Sequence, residues 1–121
     1  MAVTMRLPRR GEIWFVKLPV DPPGKGLRPV VIVSVDARNQ NERASTILGI
    51  PLTTSIHRDI PTRARLAASE TGLPEDSAAC CENITMMMKE DLVEPRARLR
   101  QISDTRICQL MQCVGLAAGC V

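Results

Sequence analysis

Aromatic side chains are nearly absent from this chain: Trp14 and Phe15 stand side by side, and there is no tyrosine. Folds that stack bases on several exposed rings, such as RRM and OB domains, are excluded by that scarcity. Histidine is represented by His57 alone, too little to complete a metal site with cysteines. The five cysteines (Cys80, Cys81, Cys108, Cys113 and Cys120) lack the two-residue spacing of a zinc ribbon or redox pair. Cys80 and Cys81, as neighbours on a strand, face opposite ways, which does not suit a shared ion. Reduced, small core thiols are the expectation, with no metal and no cofactor. No apolar run approaches the ~20 residues of a membrane span. The apolar part of Met1–Arg10 is too short for a signal peptide, so a cytoplasmic protein without membrane contact is expected.

What remains is ordinary globular material. A chain of 121 residues, 45% hydrophobic and 24% charged, suits one domain over residues 1–121. A net charge of +3 is compatible with a polyanionic partner without demanding one. Gly11–Leu18 is rich in strand formers, and the Pro/Gly-rich stretch Pro19–Leu27 breaks it. Val30–Val35 is a continuous apolar run suited to a strand buried on both faces, with Pro29 at its start. Asp36–Ser45 reads as a loop, and Thr46–Thr53 as a third strand whose Gly49 and Pro51 hint at a bulge or an edge. Thr62–Leu66 alternates, with Arg63 and Arg65 on one face, and Gly72–Asp76 turns the chain into a strand over Ser77–Ile84. Met86–Val93 reads as a short helical turn, and 96–100 as a last strand with a basic face. Ser103 then caps a helix whose Ile107, Leu110, Met111 and Val114 form one apolar stripe. The fold class is therefore mainly β with a closing C-terminal helix (α+β).

Two segments carry candidate chemistry. A Pro/Gly loop bearing Lys25 ends at Arg28, which launches the buried strand; another strand ends in the hydroxyls of Thr53, Thr54 and Ser55. If the two strands are neighbours, a planar guanidinium fork and a hydroxyl cluster meet at one end of the sheet, a combination suited to phosphate. The plainer alternative is a solvated arginine and ordinary turn hydroxyls.

The order of these segments decides between the two. Arg10-Gly11-Glu12-Ile13 is followed by Arg28-Pro29-Val30-Val31-Ile32-Val33-Ser34-Val35-Asp36-Ala37-Arg38-Asn39, then by Pro51-Leu52-Thr53-Thr54. Gly72-Leu73-Pro74-Glu75-Asp76-Ser77 and Cys81-Glu82-Asn83-Ile84 complete the series. In this order and spacing the chain resembles the MazF/PemK family, toxins of bacterial toxin–antitoxin pairs, from about Pro8 to about Val114. The resemblance implies a small SH3-like barrel of antiparallel strands and a metal-independent endoribonuclease that cuts single-stranded RNA selectively. It implies attack by the ribose 2′-hydroxyl on the adjacent phosphate, leaving a 2′,3′-cyclic phosphate and a 5′-hydroxyl. It implies a homodimer whose RNA groove is blocked by a cognate antitoxin protein.

By the same resemblance the catalytic pair is Arg28 and Thr53, with Lys25, Phe15, Thr54, Ser55 and Asn83 contacting RNA. Arg28 stays protonated, so it is read as stabilising charge on the phosphate rather than as the base. No general base stands out: His57 has a suitable intrinsic pKa, but a lone loop histidine is usually solvated surface. Departures from the family pattern are the Asp21–Lys25 loop without a glutamate, Thr85 where arginine is common, and Lys17 where aspartate is common. A non-catalytic gyrase-type toxin of the same fold is the competing class, although the Ala118-Gly-Cys-Val121 end lacks its Trp-Gly-Ile tail. A weakened RNA-binding relic is the third.

Overall fold

The computed structural model describes residues 6–18, 26–56, 60–95 and 99–120. Lys25 and His57 lie outside these, as does the greater part of the last strand read at 96–100; Leu99 and Arg100 are described and are not in a strand.

Strand β1 (Ile13–Val16) pairs antiparallel with β2 (Arg28–Ile32), and β2 with β3 (Thr46–Thr53). On its far side β3 changes partners. Its first half, Thr46–Gly49, pairs with β6 (Thr85–Met88), while Leu52 and Thr53 pair with β5 (Ser77–Cys80). Strand β4 (Arg63–Leu66) completes the order on the outer side of β5. Gly49 and Pro51 therefore mark no edge: β3 is central, and Pro51, which has no N–H to give, sits where one partner hands over to the next. Past β6 the chain returns to β1, where Phe15 and Val93 exchange backbone hydrogen bonds of 2.9 and 2.7 Å. That single bridge brings the end of the path β1–β2–β3–β6 back beside β1; among the described residues the sheet is not closed, but its curl is compatible with the small barrel that the resemblance implies.

The strand read over Val30–Val35 ends at Ile32, and Val35 is exposed, but the burial of Val30–Val33 on both faces is explained by what lies on either side. Val30 and Ile32 enter one core with Trp14, Val16, Ile47 and Met87. Val31 and Val33 enter another, beneath Ile107 and Leu110 of the helix α3 (Asp104–Ala117). Alternation of side chains across a strand makes both faces apolar when both are covered. Ser103 caps α3 as the sequence indicates, its Oγ accepting from the Arg106 amide at 3.2 Å.

Four local readings are corrected. Asp36–Ser45 opens with a short helix, α1 (Asp36–Asn39), and a second, α2 (Ala68–Thr71), precedes the Gly72 turn. Strand β5 ends at Cys80, where the Cys81 amide donates to the Thr62 carbonyl at 3.0 Å and a 3-10 turn, Cys81–Asn83, comes next. Met86–Met88 is strand, with Met87 buried and Met86 61% exposed, and only Lys89–Asp91 makes a 3-10 turn. Cys80 and Cys81 are buried, but Cys108 and Cys120 are exposed.

The motif around Ser34–Asn39 is structural. Asn39 is buried and donates to the Ser34 carbonyl (2.7 Å) and to the Asp36 carboxylate (3.0 Å), which also accepts from the Arg10 amide (2.7 Å). That amide is the main cause holding the Asp36 carboxyl below its ordinary value, against the opposing effect of burial. The knot fixes the far end of β2, and with it the direction from which Arg28 enters.

Candidate functional site

Antiparallel pairing puts the start of β2 beside the end of β3. Their last paired residues there are Val30 and Pro51, and two further steps in that register set Arg28 against Thr53. Arg28 also faces Val16 of β1, so the guanidinium stem rises from a backbone held on the β1 side. Both Arg28 and Thr53 are half-buried, while Thr54 and Ser55 are exposed. The Thr53 hydroxyl oxygen accepts from the Ser55 amide at 3.1 Å, and the Ile56 amide donates to the Thr54 carbonyl at 2.9 Å. These bonds are the turn chemistry that the plainer reading anticipates. They leave the Thr53 hydroxyl hydrogen to donate.

Arg28 and Thr53 form a shared wall between two clefts. The first, of about 360 Å³, continues past Thr54 and Ser55 to Leu73, Glu75 and Ser77. The second, of about 490 Å³, runs to Arg63, Cys80, Glu82 and Asn83. Four of the residues nominated from sequence, Arg28, Thr53, Thr54 and Ser55, therefore meet in one cleft, and Asn83 joins Arg28 and Thr53 in the other. Phe15 lines neither; it is half-buried, on the bridge to Val93. Lys25 lies outside the described residues.

Charge in the second cleft is already organised. Arg63 Nε binds Glu82 Oε1 at 2.9 Å. The hydrogen bond to Glu82 holds the Arg63 guanidinium above its ordinary value. Burial works against the Glu82 carboxylate, but hydrogen bonds from Arg63, the backbone and Thr62 outweigh it and hold the carboxyl low. Burial pushes the Cys80 thiol up, against the pull of Arg63 and Arg28, so it stays protonated near neutrality. A larger cleft of about 970 Å³ near the start of α3 has, among the described residues, three arginines and three glutamates on its wall. There Arg6 binds Glu12 (2.8 Å) and Glu94 (2.7 Å), and Arg106 binds Glu70 (3.1 Å), so these five charges are paired with one another. Arg28 and the hydroxyls of Thr53, Thr54 and Ser55 give the 360 Å³ cleft donors of the kind that a phosphate takes.

Arg63, Glu75 and Glu82 line the site although the sequence pattern does not nominate them. The alternation of Thr62–Leu66 correctly sets Arg63 off the core face, but only the pairing Arg63–Cys80 brings it to this end of the sheet. Glu75 sits in a segment legible only as a turn.

Comparison with known proteins points the same way. The family model for PemK-like, MazF-like toxins of type II toxin–antitoxin systems matches residues 9–117. The endoribonuclease MazF9 of Mycobacterium tuberculosis is 34% identical over 116 residues, covering 89% of this chain and 93% of that protein. The endoribonuclease MazF of Staphylococcus saprophyticus is 29% identical over 114 residues, covering 92% and 91%. Among solved structures, a mycobacterial endoribonuclease in complex with its cognate antitoxin superposes with a TM-score of 0.69 at 25% identity, covering 93% of this chain and 95% of that one. A MazE–MazF complex from Deinococcus radiodurans gives 0.68 at 17% identity, covering 96% and 100%, and speaks for the fold alone.

Proposed function

This chain belongs to the family of PemK-like, MazF-like toxins of type II toxin–antitoxin systems, and on that premise we propose that it is an RNA-cleaving toxin whose chemistry is carried by Arg28 and Thr53. The observation that carries the reading is the shared wall: one arginine and one threonine, from the ends of adjacent strands, line both clefts. A phosphate seated on that wall has chain leading away into a cleft on each side, as a cut within a strand requires.

The reaction is cleavage of single-stranded RNA without a metal ion. The 2′-oxygen of one ribose attacks the adjacent phosphorus and the 5′-oxygen of the next nucleotide leaves, giving a 2′,3′-cyclic phosphate and a 5′-hydroxyl. Arg28 donates to the oxygens on which negative charge builds, and Thr53 donates to a non-bridging oxygen. Thr54, Ser55 and Asn83 line the clefts into which the flanking nucleotides run. Phe15 and Lys25 are proposed contacts only through the family pattern. The chain acts as one domain, as a homodimer in the cytoplasm, and a cognate antitoxin protein holds it inactive. Consistent with this, no helix among the described residues is long and apolar enough to cross a membrane.

The test is cleavage of a long unstructured RNA in EDTA by wild-type protein and by Arg28→Ala, with product ends mapped. Discrete cuts ending in cyclic phosphate, slowed ~10²–10³-fold or more in the variant, are expected. Folded, antitoxin-free protein that cuts none of several RNAs would overturn the reading.

A further inference from the structure

The cleavage needs an acceptor for the 2′-hydroxyl proton, and Arg28, always protonated, cannot be it. Among the described residues, four others lining the two clefts have side chains that titrate: Arg63, Cys80, Glu82 and Glu75. Arg63 and Glu82 are bound to each other at 2.9 Å, and recruiting Glu82 as a base would break that pair. Cys80 is buried in the core as a protonated thiol. Glu75 differs from all three. It is exposed, lines the cleft that contains Arg28 and Thr53, and makes no hydrogen bond or ion pair among the described residues.

We propose that Glu75 is the general base of the reaction, an inference that rests on the ribonuclease reading above. The fold holds this carboxylate against the site. Strand β5 begins beside the end of β3, with Ala78 opposite Thr53, so the segment before β5 runs past Thr54 and Ser55. That segment is pinned at both ends. Gly72 takes a φ of +80° in close contact with Leu99 and Arg100 backbone, where a side chain would be strained. Asp76 accepts from Arg65 Nη2 at 2.7 Å and from the Ala68 amide at 2.8 Å. Those bonds turn Asp76 away toward β4 and α2 and leave Glu75 as the carboxylate facing the cleft. From β2 the charged group lining this cleft is Arg28; the end of β3 brings only the hydroxyls of Thr53, Thr54 and Ser55.

In the step, the 2′-oxygen forms its bond to phosphorus as its proton passes to Glu75, and the bond from phosphorus to the 5′-oxygen breaks. Water protonates the departing 5′-oxygen, which Arg28 holds by a hydrogen bond, and Glu75 returns its proton to solvent.

The experiment compares wild type, Glu75→Gln and Glu75→Asp on a short RNA containing a mapped cut site. Single-turnover rates are measured from pH 4.5 to 8.5, and affinity is measured for the same RNA with a 2′-deoxy sugar at the cut. Expected are a ~10²–10⁴-fold slower Glu75→Gln, a rate that no longer falls in acid, unchanged affinity for the deoxy analogue, and partial activity in Glu75→Asp. Two outcomes overturn the assignment while leaving the ribonuclease intact: a Glu75→Gln rate equal to wild type, or a loss explained by weaker binding with the acid fall unaltered. Inactive wild-type protein overturns the ribonuclease reading and this inference together.

Discussion

In the proposed reaction the single hydroxyl of Thr53 serves the turn and the site at once. Its oxygen accepts from the Ser55 amide at 3.1 Å, and its hydrogen is left for whatever phosphate oxygen comes within reach. Thr53→Val removes both functions at nearly constant shape and is expected to slow cleavage ~10²-fold or more. Thr53→Ser keeps the hydroxyl and is expected to stay close to wild type; rate constants on one RNA of defined sequence check both. The pair is legible in the sequence because an arginine before a strand and hydroxyls after one need only adjacent antiparallel strands to meet, and β2–β3 pairing supplies that. The family pattern puts Asn83 near the site, and the second cleft includes it. Phe15 is different: its alternation away from Trp14 takes it out of the barrel core, but onto the Val93 bridge rather than into a cleft. Glu75 is invisible to local patterns, since its approach depends on β5 lying beside β3, a long-range pairing.

Elements are readable where one periodicity stands alone. The α3 stripe is such a case: Ile107 and Leu110 are fully buried, and Met111 and Val114 pack at the margin of the same core. Capping it is a local, separable contribution. Ser103→Ala removes the acceptor for the Arg106 amide and is expected to cost ~1 kcal/mol, read as a lower urea midpoint at unchanged slope. Strand β6 escapes a sequence reading for a physical reason. Its three consecutive methionines hide the alternation, although Met87 goes inward while Met86 and Met88 face out. The helical reading holds in part for Lys89–Asp91, where Lys89 donates to the Arg38 and Asn41 carbonyls at 2.9 and 2.8 Å and the chain bends into a 3-10 turn. Gly11 shows the converse: a motif residue whose reason is purely geometric. At φ +89° any side chain there would collide with the Ile102 carbonyl, next to the hydrogen bond by which the Ile102 amide donates to the Gly11 carbonyl (2.8 Å) and ties the approach to α3 to the sheet.

At the scale of the whole molecule, three carboxylates tie together parts of the chain that local structure would leave apart. Asp36 joins the turn after β2 to the Arg10 backbone, Asp76 joins the α2–β5 loop to β4, and Glu82 joins the turn after β5 to Arg63. Each is held below its ordinary pKa: Asp36 chiefly by the Arg10 amide, Asp76 chiefly by Arg65 and then the Ala68 amide, and Glu82 by Arg63 and backbone donors against burial. A carboxylate depressed in the folded state binds fewer protons there than in the unfolded chain. Its stabilisation is therefore complete above the unfolded value of ~4 and disappears as pH falls through the lower folded value. Protonation also raises the net positive charge from +3, so self-repulsion grows in the same direction. The urea midpoint is expected to stay level from pH 7 to ~5 and to fall steeply below ~4. Asp76→Asn should lower the midpoint at pH 7 and make the acid fall shallower, because one of the three linked protonations is gone. An unchanged acid slope in that variant would mean that the Arg65–Asp76 contact, exposed as it is, contributes nothing to the linkage, and that other carboxylates, Asp36 and Glu82 among them, account for it.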